Sequence, residues 1–270
     1  PDLRAMLKLM VPGTLGLAAT QINILVNSVL ATSAGPGAVS WLNYAFRLMQ
    51  FPIGVFGVSL AQATLPRVSA QWVRGEVGPA AQTLHKSLAQ VFAINLPAAV
   101  GLAVLGQPLI AILFEHGRFG GLDTRQTALA LAAYSFGLAA YSAVKVLVPV
   151  FYAFGNTRIP VISSALSVGV TIALNLVSVR ILGFWGLALG TSIAAFVNLV
   201  FLLICAASIL NDRGGGLSLL ALARRFGVHL LLHQGGQHPT RADALQVISR
   251  VAFSSAVTLV NPTMPCLAAT

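Results

Sequence analysis

Hydrophobic positions along the chain fall into long blocks broken by short polar or turn-forming segments. The first block runs from about residue 7 to 31 and ends in the turn-rich run Thr32–Gly37. Further blocks cover about 39–65, 88–114, 127–154, 160–179 and 184–210. A helix needs roughly 20 apolar residues to cross the hydrocarbon core, so each block predicts one membrane span, six in all. The segment from Arg67 to Lys86 is polar and mixed in charge, and Pro66-Arg67 reads as a helix stop. It predicts a connecting loop with a short amphipathic helix on the membrane surface. Residues 211–270 predict a polar, amphipathic tail: Arg224-Arg225 interrupt the stretch from Leu217 to Leu232, which favours an interfacial helix or disorder, and Thr240 to Val260 adds another amphipathic piece.

Composition agrees with this pattern. Hydrophobic residues make up 57% of the 270 positions and charged residues 8%, outside the habit of soluble domains. The fold class expected is all-α, a polytopic transmembrane bundle. The formal charge of +10 does not point to nucleic acid, because the basic residues sit mainly at the ends of apolar runs, where lipid headgroups lie. Their distribution predicts orientation. With the first residue inside, the inner segments hold Arg4, Lys8, Arg67, Arg74, Lys86, Arg158 and Arg213, against Arg118, Arg125 and Arg180 outside. The tail then returns to the cytoplasm. The chain begins with Pro1 rather than methionine, with no leader before the first span, and this start is expected of a piece of something longer.

Polar residues inside the spans are the candidates for function. In the second span Ser40, Asn43, Arg47, Gln50, Gly54, Gly57 and Ala61 recur at alternating steps of three and four, one face of a regular helix. The first span carries a similar stripe of Gly13, Gly16, Thr20, Asn23 and Asn27. Two such stripes face each other or a shared aqueous cavity most simply, although small residues also serve close helix packing. An ionised Arg47 costs at least ~2.5–3.5 kcal/mol within the membrane unless it finds water or a partner. No acidic residue occurs in the first two spans. A water-filled cavity, an anionic ligand or snorkelling to the outer interface are the ways to accommodate it. A guanidinium suits phosphate, since its planar fork donates two parallel hydrogen bonds. Lys145 is a second intramembrane cation, in the cavity or at the interface. Gly186, Gly190, Ala194 and Asn198 in the sixth span, and Ser164, Ser167, Thr171, Asn175 and Ser178 in the fifth, read as packing ridges.

Enzyme chemistry lacks candidates: no Ser/His/Asp set, carboxylate pair or phosphate-cradling glycine motif is present. Cys205 and Cys266 have no ligand or redox spacing. His229, His233 and His238 come without a carboxylate motif, so neither a metal nor a cofactor is expected.

The run WLNYAFRLMQFPIGVFGV from Trp41 to Val58, continuing to Leu65-Pro66-Arg67-Val68-Ser69, closely resembles the MurJ/MviN family of lipid II flippases, within the multidrug/oligosaccharidyl-lipid/polysaccharide exporter superfamily. So does KVLVPVFYAFGNTRIP from Lys145 to Pro160. The likeness extends from about Leu3 to Leu210 and ends there. It implies part of a fourteen-helix fold in two pseudo-symmetric halves, the six spans here being like the seventh to twelfth helices. It also implies a transporter of undecaprenyl-pyrophosphate-linked peptidoglycan precursor in the bacterial inner membrane, working by alternating access. Arg47 would meet the pyrophosphate, with Asn43, Gln50, Asn23 and Asn27 lining the cavity. The expected partners are the lipid-linked precursor, membrane lipids and the N-terminal half of the same fold, and not nucleic acid. Competing expectations are another polysaccharide-lipid or drug exporter of that superfamily, or a non-transporting scaffold or remnant.

Overall fold

The computed structural model of the chain describes residue 21 and residues 24–213. Those residues form a short helix α1 (Ile24–Ser33) and five long ones: α2 (Ala38–Val73), α3 (Val77–Phe114), α4 (Gly121–Ala153), α5 (Arg158–Leu182) and α6 (Phe184–Asp212). The five long helices are each apolar enough and long enough to cross a membrane. Most of the first predicted span, and the tail beyond residue 213 with its three histidines, lie outside the described residues.

The segment between the second and third spans departs from the expectation. There is no loop with a separate surface helix from Arg67 to Lys86; α2 runs on to Val73 and α3 already starts at Val77. The turn between them is Arg74-Gly75-Glu76, with Gly75 at φ 74°, in the left-handed region. The Gly75 and Glu76 amides donate back to the carbonyls of Trp72 and Gln71 at 3.0 and 2.9 Å. Pro66 does not stop the helix because it lies on an exposed face, where a carbonyl deprived of its amide donor can bond to solvent. Pro79 falls in the first turn of α3, whose amides have no intrahelical acceptor. With 36 and 38 residues, α2 and α3 are each more than about 50 Å long, against ~30 Å of hydrocarbon. The hairpin therefore outruns the hydrocarbon at the end of the bundle where Arg67, Arg74, Lys86 and Arg158 are also exposed. At that end Trp72 stacks on Phe154, with ring centroids 4.1 Å apart, and the Arg213 guanidinium covers its ring at 4.5 Å.

Helix α4 is the centre of the bundle, packed against α2, α3 and α6, while α5 lies chiefly on α6. Small residues set these approaches, as membrane helices require when apolar lipid supplies no hydrophobic drive between them. A Cβ at Gly137 would stand 2.9 Å from Ser192, and the Ser192 hydroxyl donates to the Ala133 carbonyl at 2.9 Å. On the other side of α6, Gly186 meets the Ser178 carbonyl and Gly190 meets the Asn175 side chain. The two ridges read from the sequence thus pack against each other. Outward positions such as Val100, Val104, Ile112, Val177, Ile181, Val200 and Ile204 are exposed and apolar, the surface a lipid environment selects.

Candidate functional site

The N-terminal half of α2 is amphipathic: its polar side is open and its apolar side is buried. Ala38, Leu42, Ala45, Met49 and Ile53 are all buried, and spacings of three and four place them on one face. Ser40, Asn43, Arg47, Gln50 and Gly54 are exposed. Aromatic contacts fix that orientation. The Trp41 indole donates to Asp123 Oδ1 at 2.8 Å and packs on Phe184 with centroids 5.1 Å apart. Asp123 also accepts the Gly120 amide at 2.9 Å, so the carboxylate that caps α4 holds α2 as well. Tyr44 packs against Phe114 and Phe119 at 4.8 and 5.5 Å, and Phe46 meets Tyr134 at 5.7 Å.

Arg47 is left facing outward. It stands nine residues into α2, about 14 Å along the axis from the start of that helix. Among the described residues the ion pair is Arg74–Glu76, at 3.9 Å on the exposed hairpin; no carboxylate meets Arg47. Asn43 lies one turn above, its amide donating to the Val39 carbonyl at 2.9 Å, and Gln50 one turn below. Phe46 and Phe51, 38% and 69% exposed, flank the guanidinium position. Their place was missed in the sequence, although an aromatic just before Arg47 and another four residues after it was a readable signal.

Two members of the predicted stripe do not belong to it. Gly57 and Ala61 are buried, because Ile53–Val58 is a π-helical turn. Bonding from i to i+5 adds one residue to the turn and shifts the register of everything after it. The buried positions show the shift: Ala38, Leu42, Ala45, Met49, Ile53, Gly57, Ala61, Thr64 and Val68, with Pro52 beside Ile53, include four consecutive steps of four from Ala45 to Ala61, where a regular helix alternates. Beyond the wide turn the buried face carries interhelical polar contacts. Gly57 closes on Ser142, whose hydroxyl donates to Asn95 Oδ1 at 2.9 Å, and Thr64 donates to Ser87 at 2.7 Å.

The remaining candidates are not gathered around Arg47. Asn27 accepts a hydrogen bond from Asn175 of α5, so it belongs to the contact between α1 and α5. Asn23 lies outside the described residues. Lys145 is exposed on α4, eight residues before that helix ends, in the half of the bundle nearer the Arg74 hairpin, whereas Arg47 lies in the opposite half. Lys145 shares a stripe with Tyr141, whose hydroxyl donates to the Thr191 carbonyl at 3.2 Å. No cluster of three metal-ligating side chains occurs among the described residues. The open face thus offers one cation, two amide side chains and two aromatic rings, groups whose chemistry suits an anion attached to a partly apolar molecule.

Comparison with known proteins places this arrangement in a family. The profile of the family described as "Lipid II flippase MurJ" matches residues 1–235, so the likeness continues past Leu210, where the sequence reading had ended it. A probable lipid II flippase MurJ of Vibrio cholerae is 36% identical over 194 residues, covering 72% of this chain and 37% of that protein. The lipid II flippase MurJ of Burkholderia cenocepacia is 35% identical over 205 residues, covering 75% and 39%. The chain therefore spans well under half the length of the curated relatives it matches. Among solved structures, a lipid II flippase MurJ in an inward closed conformation superposes with TM-score 0.66 at 26% identity, over 96% of this chain and 56% of that one. A MATE transporter in complex with MaD3S gives TM-score 0.68 at 15% identity, over 95% and 53%, a likeness of fold alone. This chain is a multi-pass membrane protein, and it belongs to the lipid II flippase MurJ family.

Proposed function

We propose that this chain supplies one half of a flippase that carries undecaprenyl-pyrophosphate-linked peptidoglycan precursor across the bacterial cytoplasmic membrane. In this reading the open face of α2 lines the transport cavity. Arg47 takes the pyrophosphate through its two-pronged donor edge, and Asn43 and Gln50 supply neutral hydrogen bonds on either side. Asn23 extends the lining, while Asn27 is taken up by Asn175, and Lys145 offers a cation toward the inner mouth. The opposing wall comes from a second half of the same fold, and the substrate passes as the halves rock between inward-open and outward-open states. The hairpin tip and the tail beyond residue 213 then lie on the cytoplasmic side.

The observation that carries the reading is Arg47, exposed within a membrane-spanning helix and unpaired with any carboxylate among the described residues. An unpartnered charge at that depth is expensive unless a cavity or anionic ligand is its counterpart. The test is growth of cells depleted of their own lipid II flippase. They would express this full chain completed with the unmatched part of the Vibrio cholerae relative. Growth is expected with Arg47 and lost with Arg47→Ala, while both proteins insert to equal levels. Failure of the unsubstituted protein to support growth, or full rescue by Arg47→Ala, would overturn the assignment.

A further inference from the structure

The π-helical turn at Ile53–Val58 is more than a way of matching two faces. A continuous α-helix lacking one residue would bury the same side chains above and below, as the spacing of the buried positions shows. Packing alone therefore does not require the extra residue. Three features also make this turn the softest point of α2. Pro52, at its start, has no amide to give to the Leu48 carbonyl. Gly54 lies on the open face with nothing within 4 Å of where a Cβ would be. The Ser59 hydroxyl donates to the Val55 carbonyl, adding a side-chain donor to that acceptor just where the regular ladder is interrupted.

The two sides of the turn are held differently. From Gly57, near the end of the turn, onward α2 is held by close backbone and polar contacts in the bundle core: Gly57 on Ser142, which is itself bonded to Asn95, and Thr64 on Ser87. Above it, α2 packs through the buried apolar side chains Leu42, Ala45 and Met49 and ring against ring at Trp41, Tyr44 and Phe46, with one interhelical hydrogen bond near its N-terminal end from Trp41 to Asp123. Apolar and tilted-ring contacts can slide by small amounts without breaking a hydrogen bond. We infer that Ile53–Val58 is the pivot on which the outer segment of α2, carrying Asn43, Arg47 and Gln50, tilts against an anchored inner segment during transport. This rests on the reading of the open face as the substrate-carrying surface.

Deleting Val55 tests it, because removal of one residue turns the wide turn into a regular one while both buried faces keep their register. The completed protein described above would carry Val55 deleted, Val55→Ala as a length-preserving control, or Arg47→Ala. In the unsubstituted protein, backbone amides at residues 54–59 are expected to exchange with solvent deuterium faster than those of the turns on either side. The deletion should bring them to the rate of their neighbours, leave the amount in the membrane unchanged, and abolish growth; Val55→Ala should grow. Growth of the deletion variant would overturn the pivot while leaving the role of Arg47 standing. Failure of the deletion variant to accumulate, or unchanged exchange in it, would overturn the register argument on which the pivot stands. Growth with Arg47→Ala would instead remove the underlying functional reading.

Discussion

Gly57 of α2 and Ser142 of α4 approach so closely that a Cβ at Gly57 would lie 3.2 Å from both the Cα and the Cβ of Ser142. Ser142 in turn donates to Asn95 of α3 at 2.9 Å, so three helices meet within one small contact. Asn95 and Ser142 are both fully buried. A group of that kind is economical in a membrane protein, where close backbone approach and satisfied polar side chains replace hydrophobic burial as the source of association.

Two glycines of the same turn should therefore respond oppositely to enlargement. Gly57→Leu forces side-chain atoms into the α4 backbone and is expected to destabilise the bundle by about 1–3 kcal/mol. Gly54→Leu points into open space and should stay within about 0.5 kcal/mol of the parent. Unfolding of the purified protein in mixed micelles by denaturing detergent would measure both. Equal effects at the two positions would contradict the register shift that separates them.

That shift marks the limit of what could be read from the sequence. The existence of the five long helices was legible because apolar blocks of sufficient length have few other fates. The grouping of Asn43, Arg47 and Gln50 was legible because they lie within a stretch of regular helix. Gly57 and Ala61 were misassigned because a wide turn breaks the period of 3.6 without any residue that announces it. A trace existed on the apolar side, in the successive steps of four from Ala45 through Met49 and Ile53 to Gly57. Polarity between Arg67 and Lys86 was correctly noticed and wrongly converted into a loop. Helices that outrun the bilayer are polar at their ends for the same reason that loops are, and an exposed proline does not stop them.

Asp123 has two tasks, and they can be separated. Its two oxygens accept the Gly120 amide and the Trp41 indole, so Asp123→Ala should lose about 0.5–2 kcal/mol of helix capping and free the indole. Asp123→Asn, with a single acceptor oxygen, can keep only one of the two bonds. In a protein whose other tryptophans, Trp72 and Trp185, are replaced by phenylalanine, the emission of Trp41 is expected to shift on Asp123→Ala. An unchanged spectrum would show that this hydrogen bond does not hold the N-terminal end of α2.

Sidedness gives a further check. After replacement of Cys205 and Cys266 by serine, Arg74→Cys at the hairpin tip should react with a membrane-impermeant maleimide only in inside-out vesicles. Arg118→Cys should react in intact cells stripped of their outer membrane. The basic residues clustered at the hairpin end motivate this assignment, since lysine and arginine are retained on the cytoplasmic side. The reverse pattern would invert the orientation of every helix.

The most direct measurement concerns the environment of Arg47 itself. In the completed, cysteine-free protein, Arg47→Cys should react readily with a small cationic thiol reagent delivered in water. Reconstitution with the lipid-linked pyrophosphate precursor should slow that reaction by about tenfold or more, as occupancy of a site that includes this position requires. Reaction with only a lipid-soluble reagent, or a rate indifferent to the precursor, would mean that the position faces acyl chains or headgroups and that no pyrophosphate is held there.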